Sequence, residues 1–395
     1  MSNTIEIHGH CDERFENVKE VFTENFKLGY DVGASLAVTL EGEFVIDLWA
    51  GYADAAETRP WEQDTIVNVF STTKVMTSIC TLMLVDRGLL DLDAPVAKYW
   101  PEFAQGGKEE LPVRYLLSHT AGLPGFNKQF PLEGLYDWDF CVTMLAAQKP
   151  WWTPGTRSGY HAITFGYLLG ELVRRITGKT IGTFFQEEVA KPLNADFYIG
   201  VPEKHDARIA DLIPFKLPFV FKLISNRVIR KLFFWHPTLK VFSKPKGQVN
   251  IKAFVEEIKS RAWRGAEIPA ANGHGNARSI ARIGAALACG GKLDGLRLLS
   301  ASTIDQALEE QCYGKDKILR LPVRFGLGFG LPSETVPLPN PRSLYWGGFG
   351  GSISFIDLDA KVSCGFAMNK MMMGIQGDIR SERFLEALYT AYEAL

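Results

Sequence analysis

The chain has 395 residues, 46% of them hydrophobic and 22% charged, with a formal net charge of −2. That length can bury a large core and suits one big domain or two coupled ones. The near balance of charge argues against a nucleic-acid binder, which needs a basic excess. No uncharged apolar stretch is long enough to cross a bilayer. Met1–His8 shows no basic segment followed by an apolar run, so a cytoplasmic location is expected. The six cysteines are scattered without a C-x-x-C pair, which predicts reduced thiols and neither a metal site nor a cofactor.

In chain order, Glu13–Lys27 carries Phe15, Val18, Val21, Phe22 and Phe26 at helical spacing. Ala34–Leu40 and Phe44–Trp49 flank Glu41-Gly42-Glu43 and predict a β-hairpin. The middle of the chain predicts helices over Thr72–Arg87, Phe165–Thr177, Ile181–Leu193, Ile251–Arg261, Ala277–Ala288 and Ser302–Glu310. Near the other end, Ser343–Trp346, Ser352–Asp357 and Val362–Met368 are strand-like, and Ser381–Leu395 predicts a closing helix. Strands at both ends with helices between them predict one sheet, residues 1–70 with 271–395, and a mainly helical insertion over 71–270.

Leu212–Ile251 stands apart. Its charged residues are all basic, among them Lys216, Lys222, Arg227 and Lys231, and they alternate with Phe215, Phe219, Phe233, Phe234 and Trp235. The preferred reading is a flap whose aromatics line an acyl pocket. Peripheral membrane contact is the alternative.

Ser71-Thr72-Thr73-Lys74 opens a predicted helix, and its three-residue step puts Ser71 and Lys74 on one face. At a helix start, the N–H of Ser71 can also face a developing oxyanion. A lysine of ordinary pKa, about 10.4, must drop by roughly 3 units to act as a base near neutrality, which burial can supply. A nearby phenol could share the proton and pass it to a leaving group. Tyr160 is the candidate, on the loop Pro154–Ala162 just before a helix. By itself S-x-x-K is also what a capping serine and a solvated lysine would show.

Four motifs in order carry a resemblance: Ser71-x-x-Lys74, Val113–Leu123, Pro154-Gly155-Thr156 through Tyr160, and Trp346-Gly347-Gly348-Phe349-Gly350-Gly351. The chain resembles the class C β-lactamase and penicillin-binding superfamily, and within it is most similar to the family VIII carboxylesterases. The resemblance implies an α/β (α+β) serine β-lactamase/DD-peptidase-like fold, with an antiparallel sheet from both chain ends, helices on its faces and an inserted helical domain. It implies that Ser71 attacks an acyl carbon, that Lys74 and Tyr160 manage the protons, and that an acyl-enzyme forms. It also implies an oxyanion hole made by the amides of Ser71 and Phe349, with Trp346, Gly347 and Gly348 on a strand beside the nucleophile.

Two departures matter. Where these β-lactamases carry Tyr-x-Asn the chain has Tyr160-His161-Ala162, and where they carry Lys-Thr-Gly it has Trp346-Gly347-Gly348. Losing a charge-assisted contact costs about 1.5–3 kcal/mol of binding, which favours neutral esters over anionic antibiotics. Ester hydrolysis of small or medium acyl chains is therefore expected. Acyl transfer and weak β-lactam hydrolysis are variants on the same site, and a non-catalytic membrane- or partner-binding scaffold is the competing class. No G-x-S-x-G pentapeptide points to a histidine-based triad. His119 reads as structural, His161 as a pocket-lining substrate contact, Asn272–Asn276 as a loop bordering the cleft, and Met371–Met373 as packing.

Overall fold

The computed structural model describes residues 5–128, 130–215, 256–374 and 377–395. Its framework is a fully antiparallel six-stranded sheet. The strands are β1 (Ile7–Cys11), β2 (Gly33–Leu40), β3 (Glu43–Gly51), β4 (Ser343–Gly347), β5 (Ile353–Asp357) and β6 (Val362–Met368). Their order is β1-β3-β2-β6-β5-β4, so the two chain ends meet where β2 pairs with β6, Leu36 opposite Phe366. The expected hairpin and the three late strands all lie in this sheet.

Both faces of the sheet are covered, which is why its central strands lack polar alternation. On one face, Ala34, Leu36 and Val38 of β2 and Cys364, Phe366 and Met368 of β6 pack on α1 (Glu16–Lys27) and the C-terminal helix Ile379–Tyr392. Phe22, Phe26 and Phe384 fill that layer. The opposite face carries small side chains, among them Ser35, Ala37, Ser363 and Gly365. They let the helix Ala277–Ala288 lie close, and a Cβ at Gly365 would collide with the Ala277 carbonyl oxygen.

Beyond that helix lies the second, larger core. It is centred on α2 (Thr73–Asp86), whose residues Thr73–Leu84 are all buried, and on α3 (Trp138–Ala147) and α4 (Thr164–Thr177). A helix buried all round belongs inside a large domain. In chain order the helix Ala277–Ala288 is then α5 and Ile379–Tyr392 is α6.

Some elements differ from expectation. Residues 181–193 are a short α-helix, Ile181–Phe185, that runs into a π-helical turn, Gln186–Ala190. The edge strand β1 and the ribbon Cys312–Lys315 with Pro322–Phe325 were not anticipated. Of the basic aromatic segment 212–251, residues 216–251 lie outside the described residues, as does the start of the helix expected over Ile251–Arg261. In the described part of that stretch, residues 256–257 are helical and a turn follows, and a separate short helix, Arg261–Gly265, begins at its end. Among the described residues no helix is long and apolar enough to cross a membrane.

Candidate active site

Ser71 lies in a 3-10 turn, Phe70–Thr72, that feeds directly into α2. Phe70, just before it, has φ +43. A non-glycine residue in that region costs about 1–3 kcal/mol and persists only where its surroundings hold it. They do so here. Thr73 Oγ1 donates to the Phe70 carbonyl at 2.5 Å and accepts the Gly273 amide at 2.8 Å, while the Val69 amide donates to the Gly273 carbonyl at 2.9 Å. Asn68 Nδ2 donates to the carbonyls of Ala271 and Gly273, both at 3.1 Å.

Residues 272–276 are thus not a free loop at the cleft. His274–Gly275 forms a short strand between Val67–Asn68 and Phe197–Tyr198. A Cβ at Gly273 or Gly275 would strike the Phe197 ring, so these glycines serve packing behind the Ser71 turn.

Lys74 is fully buried one turn into the helix. Its Nζ lies 3.2 Å from Ser71 Oγ, 2.8 Å from the Ala162 carbonyl oxygen and 2.9 Å from that of Ala270. No carboxylate pairs with it among the described residues. Burial alone therefore acts on it, and holds its pKa well below the usual lysine value.

Tyr160 closes the other side of Ser71, its hydroxyl donating to Oγ at 2.6 Å. Burial pushes the phenol up to about 12, against smaller pulls from Ser71 and Trp346. Three amides in a row fix the loop that carries it. Gly159 donates to the His119 carbonyl at 2.9 Å, Tyr160 to Asp316 Oδ1 at 3.1 Å, and His161 to His119 Nδ1 at 3.1 Å.

His119 is fully buried with φ +60, its ring among those of Tyr160, Phe165, Phe325 and Trp346. Desolvation holds both His119 and His161 neutral, His161 down to about 3. His161 is not the substrate contact expected of it. It is wholly buried, and its Nε2 accepts the Leu123 amide at 3.1 Å, so the ring braces a neighbouring loop instead of facing the cleft.

Trp346 and Gly347 end strand β4 and line a small cavity with Tyr160, Leu319, Phe325, Gly330 and Tyr345. None of these seven residues is charged, so among the described residues this lining offers a ligand carboxylate no cation. At Gly348, expected as a substrate contact, a Cβ would run into the Val69 carbonyl and Ser352 Oγ, so its absence lets the strand end close on the Ser71 turn.

That contact brings the next residue, Phe349, up to the site, its ring 5.7 Å from that of Phe70. Phe349 sits at the second position of a turn closed by the Gly351 amide on the Gly348 carbonyl at 3.0 Å. The amide at that position is not used by the turn, and no acceptor takes it among the described residues. Sequence reading found Ser71, Lys74, Tyr160 and this Gly-rich turn. It missed Asp316, which carries no local motif.

The sequence pattern of the Beta-lactamase family matches residues 22–381, and the chain belongs to that family. Among curated proteins it is 35% identical to Esterase/beta-lactamase LipL of Mycobacterium tuberculosis, over 93% of this chain and 83% of LipL. Among solved structures it is similar to a family VIII carboxylesterase, with 42% identity and a TM-score of 0.87 over 98% of this chain and 100% of that one. It is also similar to a penicillin-binding protein homolog from Caulobacter crescentus, with 38% identity and a TM-score of 0.86 over 98% and 100% of the two chains.

Proposed function

We propose that this protein is a carboxylesterase that cleaves neutral esters of small or medium acyl chains through an acyl-enzyme on Ser71. The observation that carries the reading is the position of Ser71 Oγ, between the Tyr160 hydroxyl at 2.6 Å and the buried Lys74 amine at 3.2 Å. The esterase names of LipL and of the family VIII structure support the same reaction class.

The chemistry runs as follows. A neutral Lys74 amine spends its two N–H bonds on the carbonyls of Ala162 and Ala270 and turns its lone pair to Ser71. As Oγ attacks the acyl carbon its proton passes to Nζ, and the developing oxyanion takes hydrogen bonds from the amides of Ser71 and Phe349. The departing alkoxide takes the Tyr160 proton, and Lys74 restores that proton to the phenol. Water then attacks the acyl carbon and gives a proton to the same pair, which returns it to Ser71 Oγ as the Oγ–acyl bond breaks and the acid departs.

Substrate charge separates this activity from β-lactam hydrolysis. With Trp346 at the strand end and no cation among the described residues that line the adjoining cavity, an anionic β-lactam forgoes a contact worth about 1.5–3 kcal/mol. Hydrolysis of p-nitrophenyl butyrate should therefore outpace that of nitrocefin by at least an order of magnitude in kcat/KM. The reverse order would refute the substrate assignment. Ser71→Ala should abolish both activities. An unchanged butyrate rate in that variant would leave a non-catalytic scaffold as the better reading.

A further inference from the structure

Gly350 and Gly351 follow the oxyanion-hole residue with φ +100 and +120, and what holds them lies across the sheet in the first turn of α6. Arg380 is completely buried. Its Nη2 donates to the Gly350 carbonyl at 2.6 Å and to Asp378 Oδ2 at 2.6 Å. Its Nη1 donates to Asp31 Oδ1 at 2.6 Å and to the Lys370 carbonyl at 2.9 Å. The Met372 amide adds a second bond to the Gly350 carbonyl at 3.0 Å. A Cβ at Gly351 would overlap both Asp378 and Arg380, so the turn is pressed directly onto the guanidinium.

A buried cation contributes little net stability compared with apolar packing of the same volume. What the planar fork adds is direction. We infer that Arg380 is a positioning residue for the oxyanion hole: by pinning the Gly350 carbonyl it fixes the turn Gly348–Gly351 and aims the Phe349 N–H at the acyl oxygen. The role rests on the ester-hydrolase reading above. It requires the positive φ that a type II turn asks of its third residue, which Gly350 supplies. Asp378 orients the fork through Nε and Nη2 while its own Oδ1 accepts the Arg380 amide at 2.9 Å. The C-terminal helix is thereby coupled to the site.

The test compares Arg380→Lys and Asp378→Asn with wild type, at a temperature where circular dichroism shows all three folded. Readouts are kcat and KM for p-nitrophenyl butyrate, their pH dependence, and the affinity of an alkyl boronic acid that forms a tetrahedral adduct on Ser71. Removing an oxyanion donor costs about 10²–10³ in kcat, so misaiming one should cost about tenfold. Arg380→Lys should lose that factor in kcat and in boronate affinity together, with KM and the midpoint of the pH profile unmoved. Asp378→Asn, which keeps the guanidinium but loosens it, should show a smaller parallel loss and decides the matter if Arg380→Lys does not fold. Lower thermal stability with wild-type kcat and boronate affinity would overturn the inference, as would a rise in KM alone. Should wild-type hydrolysis not depend on Ser71, the ester-hydrolase reading fails instead.

Discussion

Among the described residues Lys74 has no anionic partner, and that sets its chemistry. As an ammonium it would give its three hydrogens to the carbonyls of Ala162 and Ala270 and to Ser71 Oγ. As an amine it keeps the first two bonds and reverses the third. The two states differ chiefly in the cost of burying charge, which favours the amine. Two predictions follow at this scale. The first is that kcat/KM climbs with pH to a plateau whose acidic midpoint lies well below 10.5, the ordinary lysine value. A midpoint near that value would show Lys74 to be an ordinary ammonium. The second concerns stability. Between the lowered native pKa of Lys74 and about 10.4 the unfolded chain holds a proton that the native one has lost, so wild-type stability rises with pH across that window. Relative to Lys74→Met, urea unfolding should show wild type gaining stability from pH 7 to pH 9. A pH-independent difference would mean that Lys74 titrates alike in both states.

Ser71 and Lys74 were legible because three residues make one helical turn, and Tyr160 because a reactive lysine called for a phenol elsewhere. Asp316 and Arg380 were not legible. Each acts on the site through a backbone amide or carbonyl of residues far away in the chain, and no side-chain pattern records such a contact.

Among the elements, strands buried on both faces and helices with a clear apolar stripe came through the sequence well. Their hydrophobic spacing is set by the same packing that forms them. The edge strand β1 was missed because its face is largely exposed and its residues, His8, Gly9 and His10, lack the apolar alternation of a half-buried strand. The short strands around His274 were missed for another reason: two glycines there read as a loop signal, while in the fold they make room for Phe197. The contact between α5 and the sheet leaves no room for a side chain at Gly365. Gly365→Ala would drive a methyl into the Ala277 carbonyl, and such overpacking typically costs about 1–3 kcal/mol. A fall in the urea midpoint with unchanged m-value would agree; an unchanged midpoint would show that α5 can move aside.

At the level of the whole molecule, the site belongs to neither chain end alone. The Ser71 turn leads into the helical core, the Gly348–Gly351 turn joins two strands of the sheet, and the last helix covers the far face. One sheet built from both chain ends was expected, though the pairing of β2 with β6 and its register were not. Removing residues 379–395 would uncover Phe22 and Phe366, two buried members of the α1–α6 layer, and take away Arg380. That truncation should abolish both the near-ultraviolet circular dichroism signal and ester hydrolysis, although Ser71, Lys74 and Tyr160 are untouched. A folded, active truncated chain would mean that the two layers are independent.

The most direct test is covalent. Wild-type protein is treated with a fluorophosphonate, weighed intact, digested and mapped by peptide mass. The account predicts a single adduct on Ser71, formed much more slowly in Lys74→Met. An adduct on another residue, or equal rates in the two proteins, would contradict it.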